Sequence, residues 1–209
     1  MAIPRRAQLL ERLVAVFAAG LLVLACASPS LAQRGALTAS RNLAELVDES
    51  GVILRGHVVS AVVEPHPQYT SLWTVVVTLQ VDETLKGQAS ATYTFRQFIW
   101  DRRDREDAAG YAKSGQLLLL LISPNAQGLS SPAGLEQGRF SLTADSTGKL
   151  FAANGRNNVG LLNGVGAQAV TKGTRLSGRA AALVAAPQAS GPTSLDDLRD
   201  LIHQLAGTN

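Results

Sequence analysis

A mainly β domain of five to six strands, with a short helix before it and another at its end, is the fold class this sequence predicts. Three features carry that expectation. WTVVVTLQV (Trp73 to Val81) alternates apolar and polar residues, as a half-buried strand does. QLLLLLI (Gln116 to Ile122) is an apolar run bounded by Gly115 and Pro124, too short for a helix and suited to a central strand. GRFSLT and KLFAA flank Asp145 to Gly148, a strand–turn–strand pattern.

Residues 1–32 stand apart from the fold. Arg5, Arg6 and Arg12 precede the uncharged apolar run Leu13 to Ala27, and Ser30 and Ala32 place small residues at the −3 and −1 positions of a cut between Ala32 and Gln33. This is the three-part pattern of a secretory signal peptide, with an apolar run short of the roughly 20 residues that span a bilayer. VLAC, ending at Cys26, also resembles a bacterial lipobox, so lipidation at Cys26 is the alternative processing. Arg5-Arg6 hints at twin-arginine export, although Gln8 stands where that signal favours phenylalanine. Either route places the chain outside the cytoplasm, in the periplasm or secreted, or as an outer-membrane lipoprotein.

The cut changes the charge. Losing Arg5, Arg6, Arg12 and Glu11 takes the formal +3 of the whole chain to +1. A nucleic-acid binder needs a basic face, so no nucleic-acid partner is expected. Cys26 is the single cysteine, so ordinary cleavage leaves a domain that holds together through its core alone.

After a short segment, 33–39, the elements follow in order. Ser40 to Gly51 reads as a helix capped by Ser40, with Leu43, Leu46 and Val47 on one face. Val52 to Glu64 reads as a strand with Val52, Leu54, Val58 and Val62 inward and a bulge or sharp bend at Gly56. Trp73 to Val81 buries its odd positions, Ala91 to Ile99 alternates, and Gln116 to Ile122 is central. The hairpin over 138–153 follows, then the turn Asn154 to Asn158 and a short strand at Val159 to Leu162. Gly, Ala and Ser dominate Asn163 to Thr193, which predicts a mobile linker. Ser194 then caps an amphipathic helix over 194–207, its stripe Leu195, Leu198, Ile202 and Leu205.

The succession GVILRGHVVS, VTLQVDETLKG, TYTFRQF and KSGQLLLLLISP resembles the OB-like barrel of netrin-like and TIMP-like modules, as in uncharacterised exported bacterial proteins. The resemblance covers residues 40–162 and implies a small closed barrel. TIMP-like inhibitors bind a protease's zinc through an N-terminal cysteine; with no such free cysteine here, the resemblance implies the fold and not that mechanism.

Asp82-Glu83 with Lys86 closes the strand in VDETLKG, and a carboxylate–lysine set at a strand end is expected to stay solvated. Asp101, Asp104, Glu106 and Asp107 interleave with three arginines, unlike a calcium loop, so a solvated loop is expected there. His57, His66 and His203 lack zinc-like spacing, and no G-x-S-x-G elbow occurs. No catalytic residue, metal or cofactor is therefore assigned. The remaining candidate is recognition. Arg96, Trp100, Arg102, Arg103 and Tyr111 are residue types that interfaces favour. The expected function is a non-enzymatic binding or accessory module of the envelope, its partner another envelope protein or a polymer. An extracytoplasmic hydrolase without a recognisable motif, or a structural lipoprotein held by Cys26, are the alternatives.

Overall fold

Five consecutive leucines at 117–121 are all buried, which requires protein on both faces of one strand. The computed structural model describes residues 38–111, 115–186 and 190–207. The signal-peptide boundary at Ala32 and Gln33 and the lipidation site at Cys26 lie outside the described residues. Thr38–Asn209 forms one compact unit.

The fold is mainly β. In chain order the elements are α1 (Leu43–Glu49), β1 (Ser50–Pro65), β2 (Trp73–Lys86), β3 (Thr92–Phe98), α2 (Arg102–Glu106), β4 (Gln116–Ile122), β5 (Arg139–Ala144), β6 (Leu150–Asn154), α3 (Val165–Thr171), α4 (Gly178–Ala185), β7 (Thr193–Ser194) and α5 (Leu195–Ala206). The seven strands make one antiparallel sheet in the order β3-β2-β1-β4-β5-β6-β7. Among the described residues seven strands thus replace the expected five to six, and the ladder is open, ending at β3 and β7. Residues 129–133 cross between the β3 edge and β4. Ser130 N donates to Arg96 O (2.8 Å), Ile122 N to Ser131 O (3.0 Å) and Ala133 N to Leu120 O (2.7 Å).

The pleat of β4 feeds two cores. Leu118 and Leu120 join Ile53, Phe140 and the helices, while Leu117, Leu119 and Leu121 join Leu54, Val75, Val77, Leu79 and Phe95. Successive strand residues point to opposite faces, so a strand buried on both faces reads as an unbroken apolar run.

β1 follows the expected alternation only up to Val58. Register shifts lie at Ile53/Leu54 and Arg55/Gly56, where the extra residue is in β2, and at Val58/Ser60, where the extra residue, Val59, is in β1. A bulge adds one residue and so exchanges the two faces beyond it. Val62, expected inward, is therefore 51% exposed, while Ala61 and Val63 pack against the core. The irregularity at Gly56 places its extra residue, Asp82, in β2 and not in β1, and Gly56 is required because a Cβ there would meet the Gln80 carbonyl oxygen at 2.2 Å.

α1 starts two residues later than Ser40 predicts. Asn42 and Glu45 make a reciprocal box, Glu45 N donating to Asn42 Oδ1 (3.0 Å) and Asn42 N to Glu45 Oε2 (2.8 Å). Ser40 has Leu43 three residues on, which cannot return such a bond. The β5–β6 hairpin turns as expected. Asp145 Oδ1 accepts from Thr147 N, Thr147 Oγ1 and Lys149 N, and the Thr147 bonds hold the Asp145 carboxyl below its ordinary value. Residues 159–162 form turns, not a strand, and Leu161 and Leu162 are buried, with Leu161 O accepting from Leu43 N.

Two helices fall within the described part of the expected linker. α3 and α4 bury Val165, Ala169 and Ala180, and a Cβ on Gly166 would stand 3.4 Å from Val184 Cγ2. Its small residues serve close helix packing, which composition alone cannot separate from mobility. α5 docks on its own domain through Leu195, Leu198, Leu201 and Ile202.

Ser194 starts α5 without the expected side-chain cap, and its buried Oγ has no hydrogen-bond partner among the described residues. Its backbone pairs with Phe151 in the β6–β7 ladder instead. Replacing a working cap by alanine costs about 1 kcal/mol. Ser194→Ala removes an unpaired buried hydroxyl and is expected to leave stability unchanged or raise it by up to about 1 kcal/mol in urea unfolding.

Candidate functional site

The register of β1, β2 and β3 aligns Val62 with Val76 and Arg96, and Glu64 with Thr74 and Phe98. These residues share the sheet face turned away from the Val75–Val77–Leu79 core. The Arg96 guanidinium lies across this face, donating to Thr74 Oγ1 and to Glu64 Oε1, both at 2.7 Å. Beyond β3 the chain continues to Trp100, which is 67% exposed and meets Phe98 edge-on at 5.2 Å. An exposed indole held by a second ring is pre-ordered, so a partner that covers it loses little further side-chain entropy.

The charged stretch after Trp100 is a short helix and not the expected loop. Asp101 caps α2 by accepting from Asp104 N (2.9 Å), and Asp107 Oδ1 accepts from Gly110 N (3.2 Å). Arg105 stacks on Trp73 at 3.7 Å. Arg102 and Arg103 are exposed on α2, Arg102 pairing with Glu106 at 3.1 Å. Four of the five expected recognition residues, Arg96, Trp100, Arg102 and Arg103, thus lie on β3 and the segment that follows it.

Tyr111 is the exception. It is buried beneath this region, edge-on to Phe95 at 5.7 Å, and its hydroxyl donates to Gln97 Oε1 at 2.8 Å. It offers no surface to a partner because the 3₁₀ turn Ala108–Gly110 folds it onto the core. Arg139 holds that turn by donating to Ala109 O at 2.6 Å. Burial pushes the Tyr111 phenol from 10.0 up to about 12. In the unfolded chain the phenol ionises near 10, so its stabilising contribution is complete below pH 10. It falls away between pH 10 and about 12, by up to roughly 2–3 kcal/mol. Tyr111→Phe is expected to flatten that part of the stability–pH curve, measured by urea unfolding from pH 9 to 12.

Cavities of about 360 Å³ and about 220 Å³ flank Arg96 and share Gly128. His66 lines the larger one, where its ring is fully engaged. Gln68 N and Tyr69 N both approach Nδ1 at 3.2 Å, so Nδ1 accepts and Nε2 donates to Gln127 O at 2.9 Å. This histidine fastens the 65–69 loop to the 125–128 turn.

VDETLKG differs from its expected role. Glu83 is not a solvated rim carboxylate: it binds Arg55 (3.3 Å) and receives both Nε (3.0 Å) and Nη2 of Arg199 on α5. The Glu83 hydrogen bond raises the Arg199 pKa above its ordinary value. Asp82 faces Arg55 at 3.8 Å and His57 at 3.7 Å, and Lys86 Nζ donates to Val47 O at the end of α1 (2.7 Å). Glu83 and Lys86 join helices to the sheet, while Asp82 stays exposed and pairs only within it. Local sequence could not show this, since Arg199 is 116 residues from Glu83.

Comparisons with protein-family models, with curated proteins and with solved structures found no match. Any functional reading therefore stands on the chain's own geometry. Sequence reasoning missed Val62 and Val76 as neighbours of Arg96. The bulge that turns Val62 outward falls at Val58/Ser60, where no glycine marks it.

Proposed function

We propose that this chain is an exported, non-enzymatic binding or accessory module of the cell envelope. It contacts its partner through the Val62–Val76–Phe98–Trp100 surface and the adjoining Arg102 and Arg103. The observation that carries the reading is Trp100: a ring 67% exposed, braced by Phe98, beside two exposed arginines. Tryptophan and arginine dominate the binding energy of protein interfaces, whereas an isolated exposed aliphatic residue needs no explanation. The export pattern of residues 1–32 supports an extracytoplasmic setting.

We also read β1 to β4 as an OB-like barrel carried on a longer sheet. Support comes from residues 129–133, whose backbone bonds to Arg96 on one side and to Leu120 and Ile122 on the other bridge β3 to β4. The bridge Arg96–Leu129 is parallel and Leu121–Pro132 antiparallel, as a short closing segment would be. A fold of this kind serves many functions, so it adds nothing to the choice of partner.

The test is chemical crosslinking in intact cells at native expression, wild type against the triple variant Trp100→Ser, Arg102→Ser, Arg103→Ser. All three side chains are exposed, so the variant should melt with the wild type. One dominant envelope protein attached to the wild type and lost from the variant supports the reading. The same partner retained by the variant contradicts the assigned surface.

A further inference from the structure

We infer that the outer edge of β3 at Thr92–Phe95 is a seat for an extended peptide segment of another protein. That segment would add as a strand and carry uncharged, apolar side chains at alternate positions. The inference rests on the edge geometry and not on Trp100, although its cavity shares Val76 with the surface proposed above.

The backbone directions settle which groups are free. Val81 N donates to Ala91 O and Ile99 N donates to Trp73 O, so the odd residues at the two ends of β3 turn their backbone groups towards β2. Directly opposed residues of an antiparallel pair alternate between bonded and non-bonded. The even residues therefore point their N–H and C=O groups away from β2. Arg96 fits this rule, its carbonyl accepting from Ser130 N on the outer side. Among the described residues no segment bridges Thr92 or Thr94 there, and both are exposed.

The loop explains the vacancy. Leu129 runs parallel to Arg96, so a parallel neighbour of Thr94 would be the residues just before Leu129. Those residues are in a turn, Gly128 N donating to Asn125 O at 2.8 Å with Gly128 at φ +74°. The chain leaves the edge there.

What remains beside Thr94 is the cavity of about 220 Å³, lined by Tyr93, Phe95, Val76, Pro124 and Ser130, with Arg96 at one end. Its one charge is already answered by Glu64 at 2.7 Å. The seat therefore fits an apolar side chain and makes no ionic demand. Thr92 to Phe95 also lacks the lysine, proline or inward charge with which sheet edges are commonly protected. Strand addition would satisfy the outward backbone groups while the cavity selects the side chain.

The test selects from a displayed library of random decapeptides on the mature full-length chain and follows amide exchange with and without each selected peptide. The expected peptides alternate apolar and uncharged residues and slow exchange at Thr92 and Thr94. Thr94→Pro removes an outward N–H that β2 does not use, so the ladder should persist. It is expected to weaken binding about ten-fold or more through a lost backbone bond and the ring's bulk. If Thr94→Pro misfolds, the exchange measurement on wild type still decides. Trp100→Ser should leave peptide affinity unchanged, which separates this seat from the surface proposed above. Selected peptides that leave the Thr92 and Thr94 amides exchanging freely would overturn the inference. So would protection that rises with protein concentration in the absence of peptide, which would give the edge to a second copy.

Discussion

Asn158→Ala is expected to lower stability by about 3–4 kcal/mol, since it strips partners from several buried polar groups at once. Asn154 and Asn158 are both buried and bind each other reciprocally. Asn154 N donates to Asn158 Oδ1 and Asn158 N to Asn154 Oδ1, each at 2.9 Å. Asn158 Nδ2 also reaches Ala152 O, Gly191 O and Thr193 Oγ1 at 2.9 to 3.2 Å. That one amide holds β6, β7 and the segment entering β7. Alanine removes the amide and must also occupy a φ of +57°, a left-handed conformation that costs a non-glycine residue roughly 1–2 kcal/mol and that asparagine tolerates better. Asn157, at φ +51° but exposed, supplies the control: Asn157→Gly should be close to neutral. For a chain of this size the Asn158→Ala loss corresponds to a melting decrease of roughly 6–16 °C, read by circular dichroism. A decrease under 2 °C would contradict this role for the amide.

Leu198→Ala carries the second large effect, a loss of about 2–5 kcal/mol. Leu198 is fully buried in the core that α5 shares with α1 and the sheet. The contribution of α5 is mainly apolar. Arg199 and Glu83 are partly exposed, so a double-mutant cycle on them should return no more than about 1 kcal/mol. Ending the chain before Thr193 removes both β7 and α5 and uncovers this core, so the truncated protein should fail to give a cooperative transition. A truncation that unfolds cooperatively near the wild-type midpoint would show α5 to be an appendage.

The elements legible in the sequence were those whose signal is local and periodic. The alternation from Trp73, the leucines of β4 and the 138–153 hairpin each carry their own pattern, and each is present. Val62 was misplaced because one extra residue between Val58 and Ser60 exchanges the faces of β1, and nothing in the side chains there announces it. The Gly/Ala/Ser stretch looked like a linker because packing of small residues and chain mobility draw on the same composition. α5 was legible as an amphipathic helix, yet its seat on Glu83 depends on a contact across 116 residues. Of the residues expected for recognition, Trp100, Arg102 and Arg103 are exposed and Arg96 is half-buried. Tyr111 is buried, which its sequence setting could not show, because a tyrosine beside a charged stretch reads the same whether its ring faces water or Phe95.

The central claim is that Trp100 is where this domain meets its partner. The most direct measurement places a photo-crosslinking amino acid at position 100 and, separately, at Val170, which is 78% exposed on α3. After illumination of intact cells, position 100 should give one discrete adduct with an envelope component and position 170 should give none. Equal yields at the two positions, or an adduct at position 170 alone, would contradict the account.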